Sequence, residues 1–420
     1  MSTTHLDRES IPQGSVHMDA LRGLAALIVF VSHTRALYFS SGLPGTVPGE
    51  TIGALREPPA LGMLQGRVNF SNEAVILFFA LSGYLVGGSV LRALRGARWS
   101  WKTYLSKRLT RLWLVLVPAI VLGVVLDRLG IRFFGHESIY DTSAAIPLSD
   151  MSNVAPRLRP SVILGNLFFV QTILVQPLGT NLALWSLASE FWYYMIFPLG
   201  EVAALPLSRR TTRIWSGLGT VVLLLFAGWR IAAFFPVWTL GALIEVMPKR
   251  STAEASRRYA GLLTGLLLVT MLSVRVAGLD VIPALTLIGV VACGLIYFLT
   301  QMRTPSRRGI YRRVAGYFSH ISYSLYLFHL PLAVFLCGWM NHPWHLWPKT
   351  PRNLGIWVGS DLFLLLVVTG LWYLFEARTD TVRTWVFREG AARRRGSVEL
   401  VGATRSGVLA GGSSIDAAGQ

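Results

Sequence analysis

The chain has few charged residues and very few cysteines for its length. Charged residues make up 14% of its 420 residues, 53% are hydrophobic, and the mean hydropathy is +0.51. This composition excludes an ordinary soluble protein and is typical of a polytopic membrane protein. The two cysteines, Cys293 and Cys337, lie in separate apolar runs and give neither a metal-ligand spacing nor a disulfide framework. We therefore expect no metal site and interpret both as small core residues.

Several signatures of soluble enzymes are also missing. The sequence contains no phosphate-binding glycine loop, no HExxH and no GxSxG elbow, which argues against a soluble-type hydrolase or nucleotidase. It has no internal repeat, which weakens the case for a transporter built on inverted repeats. Acids are scarce, with 21 Asp and Glu against 39 Lys and Arg. Because the cations cluster between hydrophobic runs, membrane topology explains them better than nucleic-acid binding does.

The hydrophobic runs predict about ten transmembrane helices in an all-α polytopic fold with both termini cytoplasmic. The predicted spans are 18–39, 71–91, 112–130, 182–204, 214–232, 234–248, 259–276, 281–301, 317–340 and 355–376. The loop 92–111 carries seven cations and no acid, which places it in the cytoplasm by the positive-inside rule. The first run is too long for the core of a signal peptide, so it is interpreted as an uncleaved anchor.

A short apolar run at 161–176 is ambiguous. If it crossed the membrane, every later basic loop would change sides, so it is predicted to be a re-entrant or outer-surface helix. The resulting organisation is a cytoplasmic N-terminal segment 1–17, a membrane domain 18–376 and a cytoplasmic tail 377–420. The tail is basic at first and is then expected to be disordered.

Two ionisable residues interrupt the first span. Arg22 and His33 are eleven residues apart, which is about 20° more than three helical turns and roughly 16 Å along the axis. The two side chains therefore point the same way, and ionisable groups in a spanning helix usually face the protein interior and mark a site. The alternative is that Arg22 reaches the headgroups and His33 is a hydrogen-bonded interior histidine.

A carboxylate and a serine-glycine pair occupy other spans. Glu190 lies about 12 Å from the outer end of its span and His33 about 9 Å, so Glu190 could orient the imidazole. Alternatively, Glu190 is protonated or is paired with an arginine. Ser82 could be a covalent nucleophile, although Ser82 and Gly83 fit better as a packing notch or the wall of a narrow tunnel.

Two arginines and a second histidine complete the candidates. Arg108 and Arg111 are three residues apart at the start of the third span and share a helix face. They are either surface anchors or a clamp for phosphate groups, to which guanidinium is suited. His329 lies near mid-membrane, two residues before Pro331, and structural and functional interpretations of it remain open.

Five ordered segments together resemble the acyltransferase-3 family of integral-membrane acyltransferases. They are Arg22 with His33, FFALSG at 78–83, KRLTRLW at 107–113, LWSLASE at 184–190 and ISYSLYLFHLP at 321–331. The resemblance covers about 18–376. The chain departs from the family at Ile76, where many members carry an acid. Some members add a periplasmic hydrolase-like domain, for which 377–420 is too short, so a stand-alone membrane unit is expected.

The resemblance implies an enzyme that moves an acyl group, often acetyl, from a cytoplasmic coenzyme A thioester to a hydroxyl. Acyl-CoA would be a co-substrate, and no permanently bound cofactor is expected. Acceptors would be surface glycans or glycolipids, with macrolide-type metabolites as the alternative, and the setting would be the lipid of a bacterial cytoplasmic (inner) membrane, with no nucleic-acid partner. His33 falls on the family's essential histidine, as general base or transient acyl carrier.

The candidate site can then be stated in full. The expected catalytic residues are His33 and Glu190, the expected donor-binding residues are Arg22, Arg108, Arg111, Ser82 and Gly83, and His329 is a further candidate. A transporter or lipid flippase that uses the same intramembrane charges is the rival from another class.

Overall fold

The computed structural model describes residues 15–39, 70–135, 137–140, 154–276, 280–302 and 309–384. Helices joined by short turns make up these ranges, and the predicted all-α fold class is confirmed. Most of the predicted terminal segments, 1–17 and 377–420, lies outside the described residues.

The α-helices of the described ranges are numbered here in chain order. They are α1 Ser15–Tyr38, α2 Ser71–Ser82, α3 Gly88–Arg95, α4 Trp101–Phe134, α5 Pro160–Leu167, α6 Leu184–Ala204, α7 Arg210–Ala232, α8 Phe235–Leu243, α9 Ala253–Val276, α10 Val281–Leu299, α11 Ile310–Met340 and α12 Pro351–Leu374. A π-helical segment, Gly83–Gly87, joins α2 to α3, and short 3-10 turns lie at Ala155–Leu158 and Glu376–Arg378.

Eight helices of the described part are long and apolar enough to cross a membrane, so the chain is a polytopic membrane protein. They are α1, the continuous α2–α3, α4, α7, α9, α10, α11 and α12. The predicted span 182–204 corresponds to α6, a helix of 21 residues that contains Glu190 and Glu201 and is not among these eight. At 1.5 Å per residue it still extends for about 32 Å.

The predicted span 234–248 contains a shorter helix than expected. There α8 has nine residues, or about 14 Å of helix, against a hydrocarbon core of about 30 Å. The segment still returns to the basic residues 92–111, where Glu245 pairs with Arg92 at 2.6 Å. Much of α8 packs in protein, and Trp238 and Ala242 are fully buried. A Cβ added to Gly83 would overlap the Trp238 carbonyl oxygen, so α8 lies directly on the π-helical segment. The run is apolar because it is part of the core.

The first helix runs parallel to α11 along its whole length. Contacts repeat in register from one end to the other: His17 with Tyr311, Arg22 with Ser319, His33 with His329, and the Leu37 carbonyl with Cys337. The stripe predicted to carry Arg22 and His33 therefore faces α11. Neither side chain points into lipid, and the two are not on opposite faces of the helix.

The segment between α4 and α6 enters the bundle and returns. Helix α5 has eight residues, too short to cross. At its end, the Trp113 indole donates to the Leu167 carbonyl at 3.0 Å. The Thr180 backbone N–H then donates to Asp127 at 2.9 Å. Since Trp113 and Asp127 are about 21 Å apart along α4, the segment follows α4 inward and back, as a re-entrant element does.

Candidate functional site

Five parts of the bundle surround a central cavity of about 140 Å³. They are α1, α2 with its π-helical extension, α4, α6 and α11. The residues that carry its polar chemistry are Arg22, Arg108, Arg111, Glu190, Ser82, Tyr194, Ser186, Ser322 and Tyr326. We call it the arginine cavity after its three arginines. It lies toward the end of the bundle where the basic residues 92–111 are found, which we call the basic end.

Two of the three arginines are held by polar and aromatic neighbours. Arg22 donates to the Ser319 hydroxyl at 3.4 Å, and Ser319 in turn donates to Asp19 at 2.8 Å. The guanidinium of Arg108 lies 5.7 Å from the Tyr104 ring centroid and 6.0 Å from that of Tyr194. These contacts fix two of the arginines without neutralising them directly.

The helix face shared by Arg108 and Arg111 lines the cavity, as the three-residue spacing predicts. The Arg108 Nη2 donates to the Ser89 hydroxyl at 3.3 Å. Its Nε is buried and makes no hydrogen bond with any described residue. A buried donor without an acceptor is costly, so this atom is a place where a bound anion would be stabilised.

Glu190 belongs to the arginine cavity, where it interacts with Ser82, Tyr194, Arg111 and Arg22. The hydrogen-bond partner of His33 is therefore not Glu190, as the depth comparison had suggested. Depth along the bilayer does not determine which helices are neighbours, and α11 occupies the side of α1 to which His33 points. No salt bridge joins Glu190 to an arginine among the described residues, so both alternatives stated for it, protonation and pairing with an arginine, stay open.

Ser82 is a hydrogen-bonded wall residue. Its hydroxyl accepts from the Trp238 indole at 3.2 Å and shares a hydrogen bond of 3.2 Å with the Tyr194 hydroxyl. Gly83 lies against α8, as a packing notch does. The pair thus joins the cavity wall to the short helix behind it.

A second carboxylate, Glu376, was not among the residues singled out from the sequence. It follows α12 in a 3-10 turn and accepts hydrogen bonds from Ser324, at 3.0 Å from the backbone N–H and 2.6 Å from the hydroxyl. Arg111 and Arg22 interact with it electrostatically. The only sequence signal was an acid at the end of the last predicted span, 355–376.

His33 and His329 form a hydrogen-bonded pair of imidazoles. His33 Nδ1 lies 2.9 Å from His329 Nε2, and the rings are within 5° of parallel. His329 is fully buried, and its Nδ1 lies 2.8 Å from the Leu325 carbonyl oxygen and 3.0 Å from that of Tyr326.

These contacts determine which nitrogen carries each proton. A carbonyl oxygen can only accept, so Nδ1 of His329 must carry hydrogen, and in the neutral ring Nε2 is then an acceptor. His33 must donate from its Nδ1, which leaves its Nε2 unprotonated. His33 Nε2 makes no hydrogen bond within the described ranges. The pair thus presents one basic nitrogen, oriented by a buried neighbour.

Tyr326 connects the histidine pair to the arginine cavity. Its ring lies 6.2 Å from that of His329, and its hydroxyl shares a hydrogen bond of 2.6 Å with Ser186. Both Tyr326 and Ser186 line the cavity. Arginines therefore occupy the basic end of this region, and the basic nitrogen of His33 lies roughly 16 Å further along α1.

A cavity lined by arginines, with Tyr326 between it and an oriented imidazole, suits an anionic, extended substrate. The chain belongs to the acyltransferase-3 family, whose model, described as an acyltransferase domain, matches residues 16–377. Ile76, where many members carry an acid, is fully buried in the core.

A named protein is also similar to part of the chain. The chain is 30% identical over 183 residues to a protein named O-acetyl transferase from Shigella phage Sf6, which covers 42% of this chain and 43% of that protein. The match thus spans less than half of the curated relative. No solved structure matches the chain.

Proposed function

We propose that the protein is an O-acyltransferase that moves an acyl group, most simply acetyl, from acyl-CoA to a hydroxyl of a glycan or glycolipid. The observation that carries this proposal is the His33–His329 pair beside the arginine cavity. Family membership and the name of the phage relative support acyl transfer. The multi-pass helices support a membrane location, which we take to be a bacterial cytoplasmic membrane.

The arginine cavity would hold the donor. The phosphate groups of coenzyme A require cations, and guanidinium groups bind phosphate through paired hydrogen bonds. Arg108 offers its unpaired Nε, while Arg22 and Arg111 add charge on neighbouring helices. With the phosphates at the basic end, the slender pantetheine arm would run past Tyr326 and bring the thioester to His33. The positive-inside rule supports a cytoplasmic position for this entrance, which is the side where acyl-CoA is found.

His33 Nε2 would act as the general base. It removes the proton of the acceptor hydroxyl while the oxygen attacks the thioester carbon, and the carbon–sulfur bond then breaks. The proton passes from His33 to the departing sulfur, so the products are the ester and free coenzyme A. His329 keeps the proton of His33 on Nδ1 throughout and is thus a positioning residue.

A two-step route uses the same nitrogen. His33 Nε2 attacks the thioester carbon, releases coenzyme A and carries the acyl group until the acceptor hydroxyl displaces it. The two routes differ in what happens without acceptor. Only the two-step route exchanges labelled coenzyme A into acetyl-CoA when no acceptor is present.

The test uses purified protein in nanodiscs with acetyl-CoA labelled in the acetyl group. Wild-type protein should release coenzyme A and transfer label to a membrane fraction that contains acceptor. His33→Ala should abolish both, whereas His320→Ala, an exposed histidine on α11, should change neither. Full transfer by correctly inserted His33→Ala would overturn the proposal. A transporter or flippase would release no free coenzyme A.

Mass spectrometry of surface glycans and secreted metabolites from a deletion strain would separate glycan from macrolide acceptors.

A further inference from the structure

A second, larger opening lies at the end of the bundle opposite the basic end. It measures about 980 Å³, within the order of size of pockets for small-molecule ligands. It is enclosed by 172–177 of the re-entrant segment, the first half of α6, the end of α7 and the start of α10. We call it the tryptophan cleft, after Trp185 and Trp229. None of the residues identified from the sequence lines it.

The backbone around this cleft is irregular in two places. Gly228, with φ of +77°, interrupts α7 immediately before Trp229 and Arg230, which both line the cleft. Thr172, a further lining residue, has φ of +69°. At membrane depth, non-helical backbone is tolerated only where protein covers it or where it borders a water-filled cavity. The cleft, bordered by protein on several sides, provides such a place.

The lining combines cations, indoles and apolar side chains. Arg157 is buried at 7% exposure, and the Arg230 guanidinium lies 5.7 Å from the Trp229 ring. Trp229 itself is 67% exposed. The apolar part of the wall comes from Leu174, Ile231, Val281 and Ile282, and Asp280 is the acid among the lining residues. Such a lining suits a molecule with an anionic head, a polar ring and a hydrocarbon chain.

The cleft and the arginine cavity flank the same helix. Trp185 and Ser189 of α6 line the cleft, whereas Ser186 and Glu190, each one residue further along, line the cavity. Consecutive residues differ by about 100° around a helix, so the two openings lie on adjacent sides of α6. Phe79 of the cavity wall lies 6.2 Å from Trp185 in an edge-to-face contact. Side chains, rather than a whole helix, separate the two spaces.

We propose that the tryptophan cleft binds the acceptor, and that the acceptor is a membrane amphiphile whose head carries phosphate, as a lipid-linked sugar does. That the bound molecule is the acceptor rests on the proposed function. That the cleft binds a phosphate-bearing amphiphile does not. Arg157 and Arg230 contact the phosphate, Trp185 and Trp229 contact the polar ring, and the chain leaves through the open apolar side.

Photocrosslinking tests the binding directly. The probe is decyl phosphate with a diazirine in its chain, added to protein in nanodiscs made of a neutral lipid, and a diazirine decanol serves as the neutral counterpart. The phosphate probe should label 172–177, 229–234 and 280–283 in preference to the lipid-facing stretch 262–272. Unlabelled decyl phosphate should compete, and inorganic phosphate should not. Labelling that is equal for both probes, or competition by inorganic phosphate at the same concentration, would overturn the amphiphile site.

Matched variants on α7 complete the test. Trp229→Leu and Arg230→Gln should weaken competition by decyl phosphate about tenfold, the effect of losing one charge-assisted hydrogen bond or one aromatic contact. Trp215→Leu, also 67% exposed, and Arg210→Gln at the other end of α7 should not. The same two cleft variants should lower label transfer to the membrane acceptor. If they weaken binding but leave transfer unchanged, the acceptor assignment is wrong, while the roles of His33 and the arginine cavity are unaffected.

Discussion

The arginine cavity and the tryptophan cleft both place guanidinium groups beside aromatic rings, but they differ in enclosure and in the number of cations. Among the described residues, three arginines line the cavity and two line the cleft, and each opening has one acid, Glu190 or Asp280. In the cleft, Trp229 and Leu174 are 67% and 68% exposed. An enclosed site with three arginines suits a molecule with several phosphate groups. An open site with indoles suits a molecule that stays in the membrane. The difference assigns the donor to one opening and the acceptor to the other.

The largest expected effect comes from the histidine pair. His329→Leu removes the acceptor for His33 Nδ1–H, so His33 can adopt the wrong tautomer, and the transfer rate should fall about 10²- to 10⁴-fold. His329→Gln retains an oxygen able to accept that hydrogen bond and should recover part of the rate. The measurement is kcat for acetyl transfer at saturating acetyl-CoA. Equal rates in the two variants would contradict the tautomer role, because loss of packing alone would not favour Gln over Leu.

A smaller effect distinguishes the cavity from the cleft. Arg111→Ala should raise KM for acetyl-CoA about tenfold or more, since a hydrogen bond to a charged group contributes roughly 1.5–3 kcal/mol. Its effect on labelling by decyl phosphate should be negligible. Lys107→Ala, an exposed cation one turn earlier on α4, is the matched control and should leave KM unchanged. If Arg111→Ala reduced cleft labelling instead, the division between the two openings would be wrong.

The smallest expected effect concerns the wall behind the cavity. Gly83→Ala places a methyl group against the Trp238 carbonyl oxygen, and overpacking of this kind costs about 1–3 kcal/mol. The apparent melting temperature in detergent should fall by several degrees. Gly261→Ala on α9, where an added Cβ meets nothing within 4 Å, should leave it unchanged or slightly higher. A Gly83→Ala protein as stable as wild type would mean that α8 does not lie on the π-helical segment.

Much of the site was predictable wherever one helix contained the information. The common direction of Arg22 and His33, and the shared face of Arg108 and Arg111, follow from helical periodicity alone. The pairing of His33 with His329 did not, because it depends on α1 and α11 being parallel neighbours. Sequence spacing carries no information about which helices pack together.

The helices were predictable to the same extent. Long apolar runs gave the crossing helices, but the length of the helix in 234–248 was overestimated, because burial in protein and burial in lipid select the same apolar residues. The re-entrant segment was found from loop charges rather than from hydropathy. Glu376 was missed because its role depends on the turn after α12, which places it on Ser324.

The most direct test is a cryo-electron microscopy structure with a non-transferable acetyl-CoA analogue in which a methylene is inserted between the sulfur and the acetyl carbonyl carbon. The account predicts phosphate density on Arg108 and Arg111 and the pantetheine arm beside Tyr326. The carbonyl carbon should lie about 3–3.5 Å from His33 Nε2 for the two-step route, or further away by the space of one hydroxyl oxygen for the general-base route. Density for the nucleotide in the tryptophan cleft, or a carbonyl carbon on the far side of α6 from His33, would contradict it.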